Sequence, residues 1–230
     1  MTPDHARVQA LLADTRGRLE AGFPAARPPR ILVLYGSLRE KSFSRFLAEA
    51  AAAVLRDLGA EVVVFDPRGL PMPDAVDADD PKVVELRRLS MWSEGQVWCA
   101  AERHGAISAV MKAHFDWLPL KLGDDWTTQG RTAAVLQVNG GVHSFNAVNA
   151  LRLLGRSLRM VVIPNHLTIP NVSRQFDEAG LLLAPDLQAR LVDVMEELMK
   201  FTLLTRERSD FLLDRHSERQ AAAADKDGRP

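Results

Sequence analysis

A single cysteine, Cys99, is all the sulfhydryl chemistry available to this 230-residue chain. One thiol excludes an internal disulfide and rules out a zinc ribbon or thiolate cage within one chain, so Cys99 is expected as a small buried residue. Excess charge of either sign is lacking too: 29 Lys and Arg oppose 30 Asp and Glu, for a net charge of −1. That balance leaves no large basic surface for nucleic acid or an anionic membrane and points to a small-molecule ligand. No apolar run approaches ~20 residues and the first residues lack a signal-peptide h-region, so a soluble cytoplasmic protein is expected. Internal repeats and low-complexity linkers are missing as well. With 47% hydrophobic residues, the chain has ample material for the core of one main domain.

Two nucleotide-binding signatures are also missing. After the apolar run Ile31 to Gly36 there is neither the glycine-rich turn of a dinucleotide site nor Gly-x-x-x-x-Gly-Lys-Ser/Thr. What stands there is Ser37-Leu38-Arg39-Glu40-Lys41-Ser42-Phe43-Ser44-Arg45, rich in hydroxyl and guanidinium groups and leading into a helix near Ser44. Ser37, Ser42, Ser44, Arg39 and the free N–H groups of the helix start can converge on one dianion at the positive end of the helix dipole. Such a loop suits a terminal monophosphate received by side chains, as flavodoxin-like folds receive FMN after their first strand. An ordinary polar strand-to-helix turn is the alternative.

The remaining pattern is an alternation. Residues from about Pro3 to Glu20 have helical composition, and Pro24 to Pro29 reads as a connector. Apolar runs then recur at Ile31 to Gly36, Val62 to Phe65, Gln96 to Cys99, Thr132 to Val138 and Met160 to Ile163, with helical stretches between them. This predicts an α/β fold: a flavodoxin-like, doubly wound, five-stranded parallel sheet of order 2-1-3-4-5 with helices on both faces. The helix after the first loop places Phe46, Leu47, Ala50, Ala53, Val54 and Leu58 on one face, with Gly59 as its stop. Leu191, Val194, Met195, Leu198 and Met199 mark a last sheet-covering helix. The expected organisation is an extension and linker over 1–29, the main domain over 30–205, and a charged arm with a frayed tail over 206–230. That arm is a candidate contact for a neighbouring subunit.

Right-handed crossovers bring the loops after strands one, three and four to the carboxyl edge of the sheet. The second of these holds Ala101-Glu102-Arg103-His104-Gly105, where main-chain N–H groups and Arg103 can stabilise negative charge on a flavin's N1/O2 edge. Hydride transfer to a flavin needs no side-chain acid, so His104 is given no such role and a solvated loop is the plainer reading. The third holds Asn139, Gly140 and Gly141, whose glycines would let backbone lie against a ring, and Ser144, which would cap the following helix. An ordinary glycine turn is the alternative. Trp92, Trp98, Trp117 and Trp126 are expected as core or interface material.

With these loops in place, the chain resembles the NADPH-dependent FMN reductase family and, within it, the arsenical-resistance flavoproteins. The shared phosphate-loop pattern Gly-Ser-x-Arg-x-x-Ser appears as Gly36, Ser37, Arg39 and Ser42. Longer matches cover Trp92 to Cys99, Glu102 to Ala106, Ser144 to Asn149 and Val194 to Arg206. The resemblance implies a homotetramer that binds FMN without covalent attachment, takes hydride from NADPH, and passes electrons to oxygen, quinones, azo compounds or iron. It also implies a link to oxidation of trivalent organoarsenicals. Phosphate contacts would fall on Ser37, Arg39, Ser42 and Ser44, and ring contacts on Glu102 to Gly105, Gly140 and Gly141, flanked by Ala101 and Asn139. The family's usual proline is replaced here by Ala101, which loosens the ring loop. One cysteine cannot cage a soft metalloid, so arsenical chemistry would be redox turnover rather than sequestration. A second functional class is a flavodoxin-like electron carrier, although such carriers are usually strongly acidic and this chain is not, and a third is a phosphate-ligand sensor that makes no redox use of a flavin.

Overall fold

A computed structural model of the chain describes residues 3–23, 27–123 and 125–220; residues 24–26 of the connector and the tail at 221–230 lie outside the described residues. The elements are α1 (Pro3–Gly22), β1 (Arg30–Tyr35), α2 (Phe43–Asp57), β2 (Glu61–Val64), α3 (Pro81–Trp92), β3 (Gly95–Arg103) and β4 (Ala106–Ile107). They continue with α4 (Ala109–Asp116), β5 (Lys121–Leu122), β6 (Asp125–Trp126), β7 (Thr132–Val138), α5 (Asn146–Ser157), β8 (Val161–Ile169), a 3-10 turn at Val172–Arg174, α6 (Pro185–Arg206) and α7 (Ser209–Leu213). Among the described residues, no helix is long and apolar enough to cross a membrane.

The main strands lie in the order β2-β1-β3-β7-β8, all pairs parallel, which is the expected 2-1-3-4-5 order. Period-two alternation divides the sheet's side chains between two cores. Ile31, Val33, Val97, Cys99, Ala134 and Leu136 face α1, α2 and α6, whereas Leu32, Leu34, Trp98, Ala100, Ala133 and Val135 face α3, α4 and α5. Cys99 is fully buried as expected, and burial alone pushes its thiol pKa up. Trp98 and Trp117 are core residues, their indole N–H groups donating to Gln96 Oε1 (2.9 Å) and to the Pro71 carbonyl (2.8 Å).

Several elements depart from their expected bounds, each for a local reason. α2 begins at Phe43, because Ser42 rather than Ser44 is the cap: its Oγ accepts the Arg45 N–H at 3.2 Å. Its buried face is Leu47, Ala48, Ala51, Ala52 and Leu55, while Ala53 is exposed, since the helix is wedged between the sheet, α1 and α6 and presents its small residues to them. Gly59 ends it with φ +93°. β8 runs to Ile169 despite Pro164, because it is an edge strand with a bulge there: Ala133 pairs with Val162, and Val135 with His166. The β5–β6 hairpin has too few residues to register as a period and was not expected. Beyond α6, Lys121 pairs with Glu218 at 3.3 Å and Arg215 lies 5.6 Å from the Trp126 ring, so the arm folds back over this hairpin.

Candidate functional site

Parallel pairing of β1, β3 and β7 places their carboxyl ends side by side, with Tyr35 opposite Cys99 and Ala101 opposite Val138. The Gly36 N–H continues the ladder by donating to the Cys99 carbonyl at 3.1 Å. The three candidate loops therefore leave one edge.

Loop one buries its serines: Ser37, Ser42 and Ser44 are 7%, 3% and 1% exposed, while Arg39 is exposed. The Arg39 N–H donates to Ser37 Oγ at 3.3 Å, and the Ser42 and Ser44 hydroxyls share a hydrogen bond at 3.1 Å. No acidic residue occupies the first turn of α2, so its positive end meets no internal carboxylate. Gly36 has a packing reason for its identity: a Cβ there would lie 2.8 Å from Met111 Cβ and 2.9 Å from Ser108 Oγ. Ser108 locks this approach, donating to the Gly36 carbonyl at 2.7 Å while capping α4.

Beside loop one lies a cleft of about 190 Å³ lined by Arg39, Arg45, Arg68, Tyr35, Ser37 and Glu40, among others. Asp66, just past β2, organises it. Arg68 donates to Asp66 Oδ2 from Nε (2.8 Å) and Nη2 (2.6 Å), and the Tyr35 hydroxyl donates to Oδ1 at 3.0 Å. The Arg68 hydrogen bonds hold the Asp66 carboxyl down at about 2. Desolvation first, then this carboxylate, pushes the Tyr35 phenol up to about 12. Asp66 carries no sequence motif, and the expected site draws only on the loops after strands one, three and four.

Loop two is not a loop. β3 continues to Arg103 and turns at His104 and Gly105, with φ +50° and +75°, into an antiparallel pairing of Arg103 with Ala106 and Glu102 with Ile107. Positive φ at both positions is the two-residue hairpin geometry that follows sheet twist. Arg103, His104 and Gly105 are exposed at the tip, with Ala101 and Glu102 partly buried below. The Glu102 carboxylate is already engaged: Oε2 accepts from Gln137 Nε2 at 2.8 Å and from the Ser144 hydroxyl. Ser144 stands one residue before the cap position, and its Oγ accepts the first N–H of α5, that of Asn146, at 3.4 Å. Phe145 stands at the cap position, and the Val148 N–H is satisfied instead by Gln137 Oε1 at 3.0 Å.

Loop three is anchored by Asn139, whose Nδ2 donates to the Gly141 carbonyl at 2.7 Å and whose own carbonyl accepts the Val172 N–H at 3.1 Å. Gly140 and Gly141 are exposed, neither has a positive φ, and a Cβ built on either meets nothing within 4 Å. Nothing in the chain itself demands glycine there. The two positions leave bare backbone facing open space, which is the clearance a flat ring laid against that backbone requires. Hydroxyls at an acid-free helix start and ring clearance one strand beyond the hairpin fit a flavin mononucleotide.

Residues 29–174 match the family described as NADPH-dependent FMN reductase. The chain is 54% identical over 220 residues to the NADPH-dependent FMN reductase ArsH of Rhizobium meliloti (strain 1021), covering 96% of this chain and 91% of that protein. It is 56% identical over 196 residues to the protein of the same name from Acidithiobacillus ferrooxidans, covering 85% and 83%. Among solved structures, the flavoenzyme FerB of Paracoccus denitrificans, an NAD(P)H:(acceptor) oxidoreductase, superposes with a TM-score of 0.64 at 18% identity, over 77% of this chain and 98% of that one. By the span of the family match and by identity to these relatives, the chain belongs to the NADPH-dependent FMN reductase family.

Proposed function

We propose that this protein reduces FMN with NADPH at the carboxyl edge of its sheet and passes the electrons to small-molecule acceptors. Bound there, FMN supplies the redox chemistry, accepting hydride and releasing electrons. The observation that carries the reading is the clearance at Gly140 and Gly141, two glycines the fold does not need, beside a hydroxyl-lined helix start.

Each residue then has a task. Arg39 and Ser37 face a phosphate from the loop, and the α2 dipole favours its charge. Ser42 and Ser44 hold two hydroxyl protons between them, one of which joins their oxygens, leaving the other for a phosphate oxygen. At the ring, Arg103 and the turn N–H groups of His104 and Gly105 favour electron-rich states, while Ala101 and Asn139 form the floor. Glu102 is a positioning residue, holding the hairpin to β7 and α5 through Gln137 and Ser144.

The acceptors proposed are oxygen, quinones, azo compounds and iron, and, as the family resemblance implies, trivalent organoarsenicals. The working form proposed is a homotetramer whose main domain spans 30–205, with the 206–230 arm as a candidate subunit contact. Steady-state NADPH consumption by the FMN-loaded protein tests the activity. Turnover above that of free FMN is expected; its absence with every acceptor removes the enzyme reading.

A further inference from the structure

The opposite edge of the sheet carries charge that the flavin reading does not use. Arg30, Glu94 and Arg131 immediately precede or open β1, β3 and β7, and the register Ile31–Gly95–Thr132 sets them in a row. Backbone bonds fix that row: the Glu94 N–H donates to the Arg30 carbonyl at 2.8 Å, and the Thr132 N–H to the Glu94 carbonyl at 3.2 Å. Arg27 and Arg206 close on the same carboxylate, Arg27 bidentately at 2.7 and 3.0 Å and Arg206 at 3.9 Å. Two guanidinium groups thus hold one glutamate, and Arg30 and Arg131 line the same cleft of about 210 Å³, which also includes Ser209 of α7.

The hydrogen bonds are unevenly shared. Arg131 is satisfied by backbone, donating to the carbonyls of Met91, Ser93, Trp126 and Gln129. Glu94 is consumed by Arg27 and the Arg30 N–H. The Arg30 guanidinium, by contrast, makes no hydrogen bond among the described residues, and its Nε is sealed from solvent without an acceptor. It lies 5.8 Å from the Trp92 ring, a contact that holds the cation but satisfies no N–H. That Nε is closed to a ligand, but the Nη donors of the same cation are neither sealed nor paired, and beside surplus positive charge they are open to an anion in the cleft. Desolvation, and then the neighbouring Arg30, depress the Arg131 pKa to about 10, the sign expected of crowded cations.

We infer that this cleft is a second anion site, taking a tetrahedral oxyanion, either free phosphate or the head group of a phosphomonoester, on the two Nη donors of Arg30 with Arg206 and Ser209 alongside. Guanidinium forks match such oxyanions in geometry. Because α7 supplies Ser209 and Leu213 to the wall, occupancy would fasten the arm to the sheet's amino edge.

The test uses the full-length, FMN-loaded protein and reads its thermal midpoint in phosphate, sulfate or glycerol phosphate against chloride at matched ionic strength. Phosphate is expected to raise the midpoint with saturation. Arg30→Met is expected to unfold no lower than wild type in chloride, since it removes repulsion, and to lose at least tenfold in phosphate affinity. Calorimetric titration of wild type should give one phosphate per chain, a readout that stands even where a variant does not fold. A stronger response to glycerol phosphate assigns the ester, and a stronger one to phosphate the free ion. Equal responses in wild type and Arg30→Met, or no saturable response in wild type, overturn the site.

Discussion

The side-chain amide of Gln137 donates to the Glu102 carboxylate at 2.8 Å while its oxygen accepts the Val148 N–H at 3.0 Å. One residue in the interior of β7 thereby ties the hairpin of the second loop to the start of α5. Replacing Gln137 with Ala leaves the buried Val148 N–H without its acceptor and Glu102 held by Ser144 alone, and a loss of about 1–3 kcal/mol is expected. Urea unfolding measures it, and a change within error would show that water or another side chain takes over.

Arg39 is an exposed cation of the first loop, two residues from Ser37. Arg39→Ala should weaken FMN binding by about 1.5–3 kcal/mol, the scale of a hydrogen bond to a charged group. Titration of flavin fluorescence reads this directly, and wild-type affinity would mean that Arg39 points elsewhere.

The glycines divide into two kinds. Gly140→Ala and Gly141→Ala meet no atom, so folding stability should hold or rise by about 0.4–1 kcal/mol through the unfolded chain, while FMN affinity falls. Gly36→Ala collides with Met111 and Ser108 and should lose about 1–3 kcal/mol of stability. Parallel unfolding and flavin titrations separate the two classes; unchanged FMN affinity in both loop-three variants would remove the clearance argument.

His104 sits at φ +50° in a turn where side-chain identity is set by backbone, not by chemistry. His104→Asn should keep stability and turnover, since Asn tolerates this region. His104→Val should cost about 1–2 kcal/mol, the penalty of left-handed backbone. Loss of turnover in a well-folded His104→Asn protein would give the imidazole a chemical part.

Asp66 has its carboxyl held at about 2, below its usual 3.8. A depressed pKa stabilises the fold above the unfolded value and ceases to do so as pH falls through the folded one. The stability difference between wild type and Asp66→Asn at pH 7 should therefore shrink below about pH 4 and vanish near pH 2. A difference independent of pH across that window would contradict the Tyr35–Asp66–Arg68 tie.

Strand order and the convergence of the three loops on one sheet edge were legible because they follow from alternation and crossover hand, which a one-dimensional pattern carries. The core of α6 was legible for the same reason. What escaped depended on partners. β3 beyond Cys99 reads as polar loop until Ala106 and Ile107 fold back to pair with it. Pro164 argues against a strand unless β8 is known to be at the edge with a bulge opposite Ala134. Gln137 looks like one more residue of an apolar run, and only the contact with Glu102 reveals its work. Asp66 gave no signal, being a lone carboxylate after a short strand.

The burial of Cys99 at the centre of the sheet has a wider consequence. Its sulfur is walled off by packed side chains and, with its pKa raised, stays a thiol, so thiol-seeking reagents find no handle on the native fold. A sulfur-avid electrophile that meets the native fold therefore finds no accessible thiol to capture it.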